Sequence, residues 1–209
     1  MQKQREKDWD RRYLDLDTPW EDSKPFLLLE EVFSGYVRPG SRVLEVGCGL
    51  GTNASFLAGL GYVVTAIDIS PRAAQLASEK YKNRNLDFLC ADFLKGEVSG
   101  SFDVVFDRGC FHSFTEQESY NRFSQCVFEH LVDGGHWINI SGNADHPDDL
   151  EKRRMDQFPR MSLTSIATAV EPFFEIQEIR NTPYGIDVNF LAWLGVFKKR
   201  EFFYLQAGD

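Results

Sequence analysis

Glycines at positions 47, 49 and 51 follow an apolar run, Arg42-Val-Leu-Glu-Val46, and Glu45 stands two residues ahead of the first of them. A buried strand that breaks into such a turn lets a ligand lie against bare backbone, because glycine has no Cβ and reaches dihedral angles that other residues avoid. The acid matters as much as the glycines. A dinucleotide-binding turn reads Gly-x-Gly-x-x-Gly and holds an anionic pyrophosphate at a helix N-terminus. Here the third glycine comes one residue early, and Glu45 would repel a phosphate but not a cation. Tyr62-Val-Val-Thr-Ala-Ile-Asp68 then ends in a second acid, seventeen positions beyond Gly51. That is close to the spacing of about 20 residues at which a strand-end carboxylate accepts hydrogen bonds from ribose hydroxyls. The plainer readings are a structural glycine turn and a helix-start acid favoured by the macrodipole.

Strands and helices must alternate to hold these residues. Ser70-Pro71 is an N-cap with proline at the first helical position, opening a helix over 72–82 with Asn83 as its C′ residue. Leu86–Asp92 reads as a third strand running into Phe93, and Ser101–Asp107 as a fourth. Thr115-x-x-Glu118 reads as a capping box before a helix carrying Tyr120, Phe123, Val127, His130 and Leu131, which stops at Gly134-Gly135. His136–Ile140 is a fifth strand, and Ser162 caps a helix with Leu163, Ile166, Val170 and Phe173 along one stripe, broken near Pro172. Two closing strands, 174–180 and 189–198, have no helix between them. The pattern predicts an α/β fold: a doubly wound, mostly parallel sheet with helices on both faces and a C-terminal antiparallel hairpin at its edge.

At 209 residues with 43% hydrophobic and 14% aromatic content, the chain suits one domain over 1–209. Within it, 1–35 reads as an N-terminal helical lid segment, 36–145 as the binding core, and 146–209 as the substrate-side and hairpin part. A net charge of −9 argues against nucleic acid and anionic membranes as partners, and favours a small-molecule substrate. No apolar run is long enough to span a bilayer and no signal peptide opens the chain, so a cytoplasmic location is expected. Cysteines 48, 90, 110 and 126 show no metal-ligand spacing, so no metal is expected, and each reads most simply as a buried small hydrophobe. Asp145-His-Pro-Asp-Asp149 reads as a solvated loop.

The set Glu45–Gly51, Asp68, Asp92 resembles the class I S-adenosylmethionine (SAM)-dependent methyltransferases, over about residues 40–145. The resemblance implies a Rossmann-like seven-stranded fold and SAM as cofactor, with S-adenosylhomocysteine as product. It implies that the methionine and ribose part lies over Glu45, Gly47, Gly49 and Gly51, with Asp68 on the ribose hydroxyls and Ile69 against adenine. Asp92 would then receive the adenine amino group beside Phe93, and the end of the fourth strand, Asp107 and Arg108, would face cofactor and acceptor. Trp9-Asp-Arg-Arg-Tyr13 with Asp17-Thr-Pro-Trp20, and Asp107-Arg108-Gly109, are similar to segments of the thiopurine and thiol/halide methyltransferases. In that group the N-terminal segment folds over SAM, which would set Trp9 and Trp20 on the cofactor; aromatic faces attract a sulfonium. Packing of a helix and a structural ion pair are the plainer readings of the tryptophans and of Arg108. The chain departs from that group in Glu45-Val-Gly47, the general class I form of the turn.

Methyl transfer is an in-line displacement from a cation, and positioning alone can supply effective molarities of ~10⁵–10⁸ M. A thiolate therefore needs no base, whereas a hydroxyl or ammonium acceptor does. Asp107 and His112 are the catalytic candidates, His112 as base because its ordinary pKa of ~6.5 suits the task; packing near a helix start is its plainer reading. Cys110-x-His112 is also readable as a nucleophile pair. The expected function is SAM-dependent methylation of a small soft acceptor such as a thiol or thiopurine. The alternative is a SAM-binding sensor with little transferase activity, in which Phe111, Phe114 or the 143–160 segment plugs the acceptor pocket. An NAD(P)-dependent oxidoreductase is the third.

Overall fold

The computed structural model describes residues 9–145, 160–184 and 191–201. Seven strands form one sheet: β1 (Arg42–Val46), β2 (Val63–Asp68), β3 (Leu86–Cys90), β4 (Phe102–Arg108), β5 (Leu131–Gly142), β6 (Phe174–Pro183) and β7 (Leu191–Lys199). Their spatial order is β3-β2-β1-β4-β5-β7-β6. β1 to β5 run parallel, and β7 is antiparallel to both β5 and β6. This is the Rossmann-like arrangement with an antiparallel ending. The helices are α1 (Leu29–Tyr36), α2 (Thr52–Gly59), α3 (Pro71–Lys80), α4 (Gln117–His130) and α5 (Leu163–Val170), preceded by a helical segment at 9–14.

The central strands are covered on both faces, so they read as nearly continuous apolar runs. Val43, Val104, Phe106 and Ile138 pack on one side with Leu57 and Phe33. Leu44, Val105 and Trp137 pack on the other with Phe123 and Phe111. Each large apolar side chain so buried contributes about 1.5–3 kcal/mol. Ser70 caps α3 as its sequence implies: its Oγ accepts from Ala73 N–H at 3.1 Å, and Pro71 opens the helix. The chain leaves β1 towards β2, while β4 pairs on the opposite side of β1. Connections therefore diverge above the C-terminal ends of β1 and β4, and a crevice opens there.

Some boundaries differ from expectation. No capping box forms at Thr115; Glu116 is the N-cap of α4 and makes no side-chain cap. That helix ends at His130 rather than at Gly134-Gly135, because Leu131 already pairs with Phe102. The two glycines lie inside β5, where it bulges before pairing again at His136 with Val104. Helix α3 ends at Lys80 with Tyr81 as its C-cap, short of Asn83. Cys90 is exposed on the edge strand rather than buried.

Gly51 caps α2 with φ of +77°, and a Cβ there would stand 2.5 Å from the Phe88 ring. It is the glycine that lets α2 start against β3. Gly51→Ala is expected to lower stability by about 2–4 kcal/mol through left-handed strain and overpacking. A urea midpoint shift at unchanged slope measures this, and a midpoint like the wild type's would contradict it.

Candidate functional site

One cavity occupies the crevice. It brings together Glu45, Gly47 and Gly49 from the turn, Asp68 and Ile69 from the end of β2, and Asp92 and Phe93 beyond β3. Arg108, Cys110 and His112 line it from beyond β4, and Trp9 and Trp20 from the N-terminal segment. Among the residues singled out from sequence, Gly51 and Asp107 do not line it.

The turn is built by backbone pairing across the strand ends. Gly47 and Cys48 N–H groups donate to Ile67 O at 2.8 and 2.9 Å. Asp68 is buried, accepting from Gly49 N–H and Ser70 N–H, both at 2.9 Å. A carboxylate has about four lone-pair sites, so two bonds leave capacity for hydroxyl donors. Asp92 accepts from Leu94 N–H at 3.0 Å, with Lys95 Nζ 2.9 Å from its other oxygen.

Glu45 is the electrostatic centre. It is 2% exposed, and among the described residues its Oε2 has no hydrogen-bond partner. Asn53 supplies a side-chain hydrogen bond while its own carbonyl oxygen accepts from Phe26 N–H at 2.9 Å. Burial pushes the Glu45 carboxyl up to about 8, and the charges of Glu21 and Asp68 push the same way against Arg108. Asp68 is also raised, by burial first.

The N-terminal segment closes over the turn. Trp9 and Trp20 stack edge to face with centroids 5.1 Å apart, and Tyr13 packs on Trp20 at 5.9 Å. Tyr13 O–H donates to Glu21 Oε1 at 2.6 Å, and the same oxygen accepts from Leu50 N–H at 3.1 Å. Asp10 Oδ1 accepts from Ser70 O–H at 2.7 Å and Arg72 N–H at 2.9 Å, fastening the segment to the start of α3. Arg108 pairs with Asp22, not with Asp107 or Glu45, and also donates to Tyr184 O at 3.0 Å. It thereby ties the segment to the ends of β4 and β6.

Two expected roles change. Asp107 is fully buried beneath the cavity floor, accepting from Phe111 N–H and Trp137 Nε1–H at 2.9 Å and from Asn139 Nδ2 at 3.0 Å. Those bonds hold β4, β5 and the Phe111–Ser113 turn together, and Asp107 does not line the cavity. His112 does line the cavity, but its Nδ1 accepts from Gly142 N–H at 2.7 Å. A backbone N–H can only donate, so the neutral ring carries its proton on Nε2. Burial, with Arg108 and Arg160 nearby, lowers its pKa to about 3. In this arrangement the His112 Nε2–H is left to donate into the cavity. Burial and Asp107 push the Cys110 thiol well above its ordinary value, the opposite of what a nucleophile pair needs. Phe111 packs on Phe123 and Trp137 in the core, whereas Phe114 lines the cavity. Most of the 143–160 segment, and 146–149 of the acidic loop, lie outside the described residues.

Tyr13, Glu21, Asp22 and Tyr184 also line the cavity. Glu21 and Asp22 directly follow Trp20, and that adjacency was their one signal. Tyr184 stacks on His112 at 5.8 Å and has its hydroxyl raised to about 12 by burial.

Residues 43–135 match the model of a methyltransferase domain. An uncharacterised methyltransferase of Schizosaccharomyces pombe is 44% identical over 79 residues, covering 36% of this chain and 54% of that protein. A probable thiol methyltransferase of Arabidopsis thaliana is 27% identical over 136 residues, covering 63% of this chain and 60% of that one. The chain thus spans about half the length of the first relative and under two thirds of the second. In structure, the 1,6-didemethyltoxoflavin N1-methyltransferase of Burkholderia thailandensis, solved with its substrate and S-adenosylhomocysteine, superposes with a TM-score of 0.73 at 18% identity, covering 94% of this chain and 87% of that one.

A carboxyl raised on folding keeps its proton in the native state while the unfolded chain has lost it. Stability is then highest below the ordinary value, near 4.5, and falls as pH climbs to about 8. Glu45→Gln removes that share. In the ligand-free protein its stability advantage over wild type is expected to grow between about pH 5 and pH 8, by at most about 1.4 kcal/mol per unit, and then level off. Chemical denaturation across pH reads this, and a constant difference would contradict it.

Proposed function

We propose that this chain, whose residues 43–135 match the model of a methyltransferase domain, is a class I SAM-dependent methyltransferase that moves the methyl group of SAM onto a small, soft nucleophile of the thiol class. SAM is the cofactor of such domains, and the residues here fit it. Glu45 offers a buried oxygen with no partner among the described residues, to which a cation would bring the missing charge. Gly47 and Gly49 line the cavity from the turn. Trp9 and Trp20 supply aromatic faces, which favour a sulfonium. Asp68 is proposed for the ribose hydroxyls, and Ile69, Asp92 and Phe93 for adenine.

When bound, SAM supplies a methyl group activated by positive sulfur. The work left to the chain is to hold the acceptor in line and to exclude water. The observation that carries the acceptor class is His112. With its proton on Nε2 and Nδ1 engaged, it can orient a lone pair but cannot take a proton at neutral pH. Thiols ionise at ~8.5 and reach the thiolate without an enzymic base, unlike hydroxyls. Among similar proteins, a relative named as a probable thiol methyltransferase agrees with this class.

The test is the pH dependence of methyl transfer to a panel of thiols of graded acidity. The rate is expected to rise with each acceptor's own ionisation. His112→Gln, which keeps an N–H donor near the Nε2 position, should preserve that profile, while His112→Ala should raise KM. A break near neutral pH shared by all acceptors and lost in His112→Gln would restore the base. Transfer to hydroxyl or amine acceptors alone would remove the thiol class.

A further inference from the structure

Glu21 has no part in the scheme above, yet it reaches the centre of the cavity. Its carboxylate rests on the glycine turn, accepting from Leu50 N–H at 3.1 Å and from Tyr13 O–H at 2.6 Å. Glu45 and Asp68 are close enough that each is felt electrostatically with Glu21. Arg108, whose charge acts on both Glu21 and Glu45, already pairs with Asp22. Among the described residues, the cavity lining thus carries five acids, Glu21, Asp22, Glu45, Asp68 and Asp92, against two cations, the committed Arg108 and the exposed Lys24. Independently, the Glu45 Oε2 atom is buried, lines the cavity and lacks a hydrogen-bond partner among the described residues. Ionising such a buried group without a counter-charge is costly, so a cationic ligand is what would let it ionise.

Resting on the SAM reading above, we propose that Glu21 is a cofactor-discriminating residue. Its carboxylate, carried onto the glycine turn by the N-terminal segment, joins Glu45 in balancing the positive sulfur of the methyl-bearing cofactor. It thereby favours that cofactor over its demethylated product. The chemistry is a difference of one charge. SAM carries a sulfonium, an ammonium and a carboxylate, and so is net positive. Its product keeps the latter two but has a neutral thioether. Interactions with the ammonium are common to both ligands and cancel in their ratio, so a carboxylate acting on the sulfonium appears in the ratio alone. Glu21 is well placed for this because it arrives with the closing segment. Its bond to Tyr13 fixes it against Trp20, whose Nε1–H donates to the same Tyr13 oxygen at 3.1 Å. Loss of the methyl group would then weaken the hold on the segment and let product leave.

The test is calorimetric titration of the full chain with SAM and with S-adenosylhomocysteine, for wild type, Glu21→Gln and Tyr13→Phe. Glutamine keeps the volume and the acceptor for Leu50 N–H but removes the charge. The preference for SAM over product is expected to drop about tenfold in Glu21→Gln, the scale of one partly shielded charge pair. Tyr13→Phe keeps the charge and the Leu50 N–H bond and should lower the ratio less than Glu21→Gln does. If Glu21→Gln weakens both ligands equally, or neither, Glu21 only fastens the segment and the proposal is overturned. Should the glutamine variant melt early, Glu21→Asp, which withdraws the charge by one methylene, should give an intermediate ratio. A wild type that binds neither ligand would overturn the SAM reading and this inference with it, and that failure shows without any variant.

Discussion

A carboxylate taken out of water without a counter-charge is the costliest feature of this fold, and Glu45 is that feature. Removing an ionised group from water costs several kcal/mol even after the surroundings relax. The cost is tolerated because the carboxyl can hold its proton up to about pH 8 while nothing cationic is bound. Other parts of the site follow from this. Asn53 gives Glu45 one hydrogen bond and is itself held by Phe26 N–H. Arg108, which would quench the charge if it turned inward, is bound to Asp22 and Tyr184 O. Glu45 therefore stays free to ionise against a cation placed in the crevice.

Acids in this chain do two different kinds of work, and hydrogen-bond saturation separates them. Asp107 accepts three strong donors and is sealed beneath the floor, where it joins β4 to β5 through Trp137 and Asn139. Its pKa is nonetheless raised to about 6 by burial. Glu45 is equally buried but left short of partners, and it lines the cavity. Both are strand-end acids of the central sheet, and only the three-dimensional donors around them tell scaffold from site. His112 repeats the lesson. The Gly142 N–H at the end of β5 decides which ring nitrogen carries the proton, and adjacency in the sequence could not show that.

Much of the fold was legible, because its signals are local. The strand-glycine-helix junction at 42–51, the Ser70-Pro71 cap and the absence of a helix between the last two strands each rest on a few adjacent residues. The connection rules for parallel strands narrow the possible sheet orders, and the structure fixes the one adopted. Less local features were missed. The Gly134-Gly135 pair looks like a helix stop, but its use as a bulge in β5 depends on where Phe102 and Val104 find partners. Glu21 and Asp22 look like surface charges after a tryptophan, and only the folding back of the segment puts them on the turn and on Arg108. Tyr184 reaches His112 through the β6 end, a contact between residues 72 positions apart in the chain.

The account turns on Glu45 being protonated when the cavity is empty and ionised when a cation fills it. The direct measurement is the proton count on cofactor binding: calorimetric titration with SAM near neutral pH, repeated in buffers of different ionisation enthalpy. Binding should release up to about one proton per SAM, because the cation returns the Glu45 carboxyl towards its ordinary range, and release should vanish in Glu45→Gln. Binding with no proton release, or with release undiminished in the variant, would contradict the account.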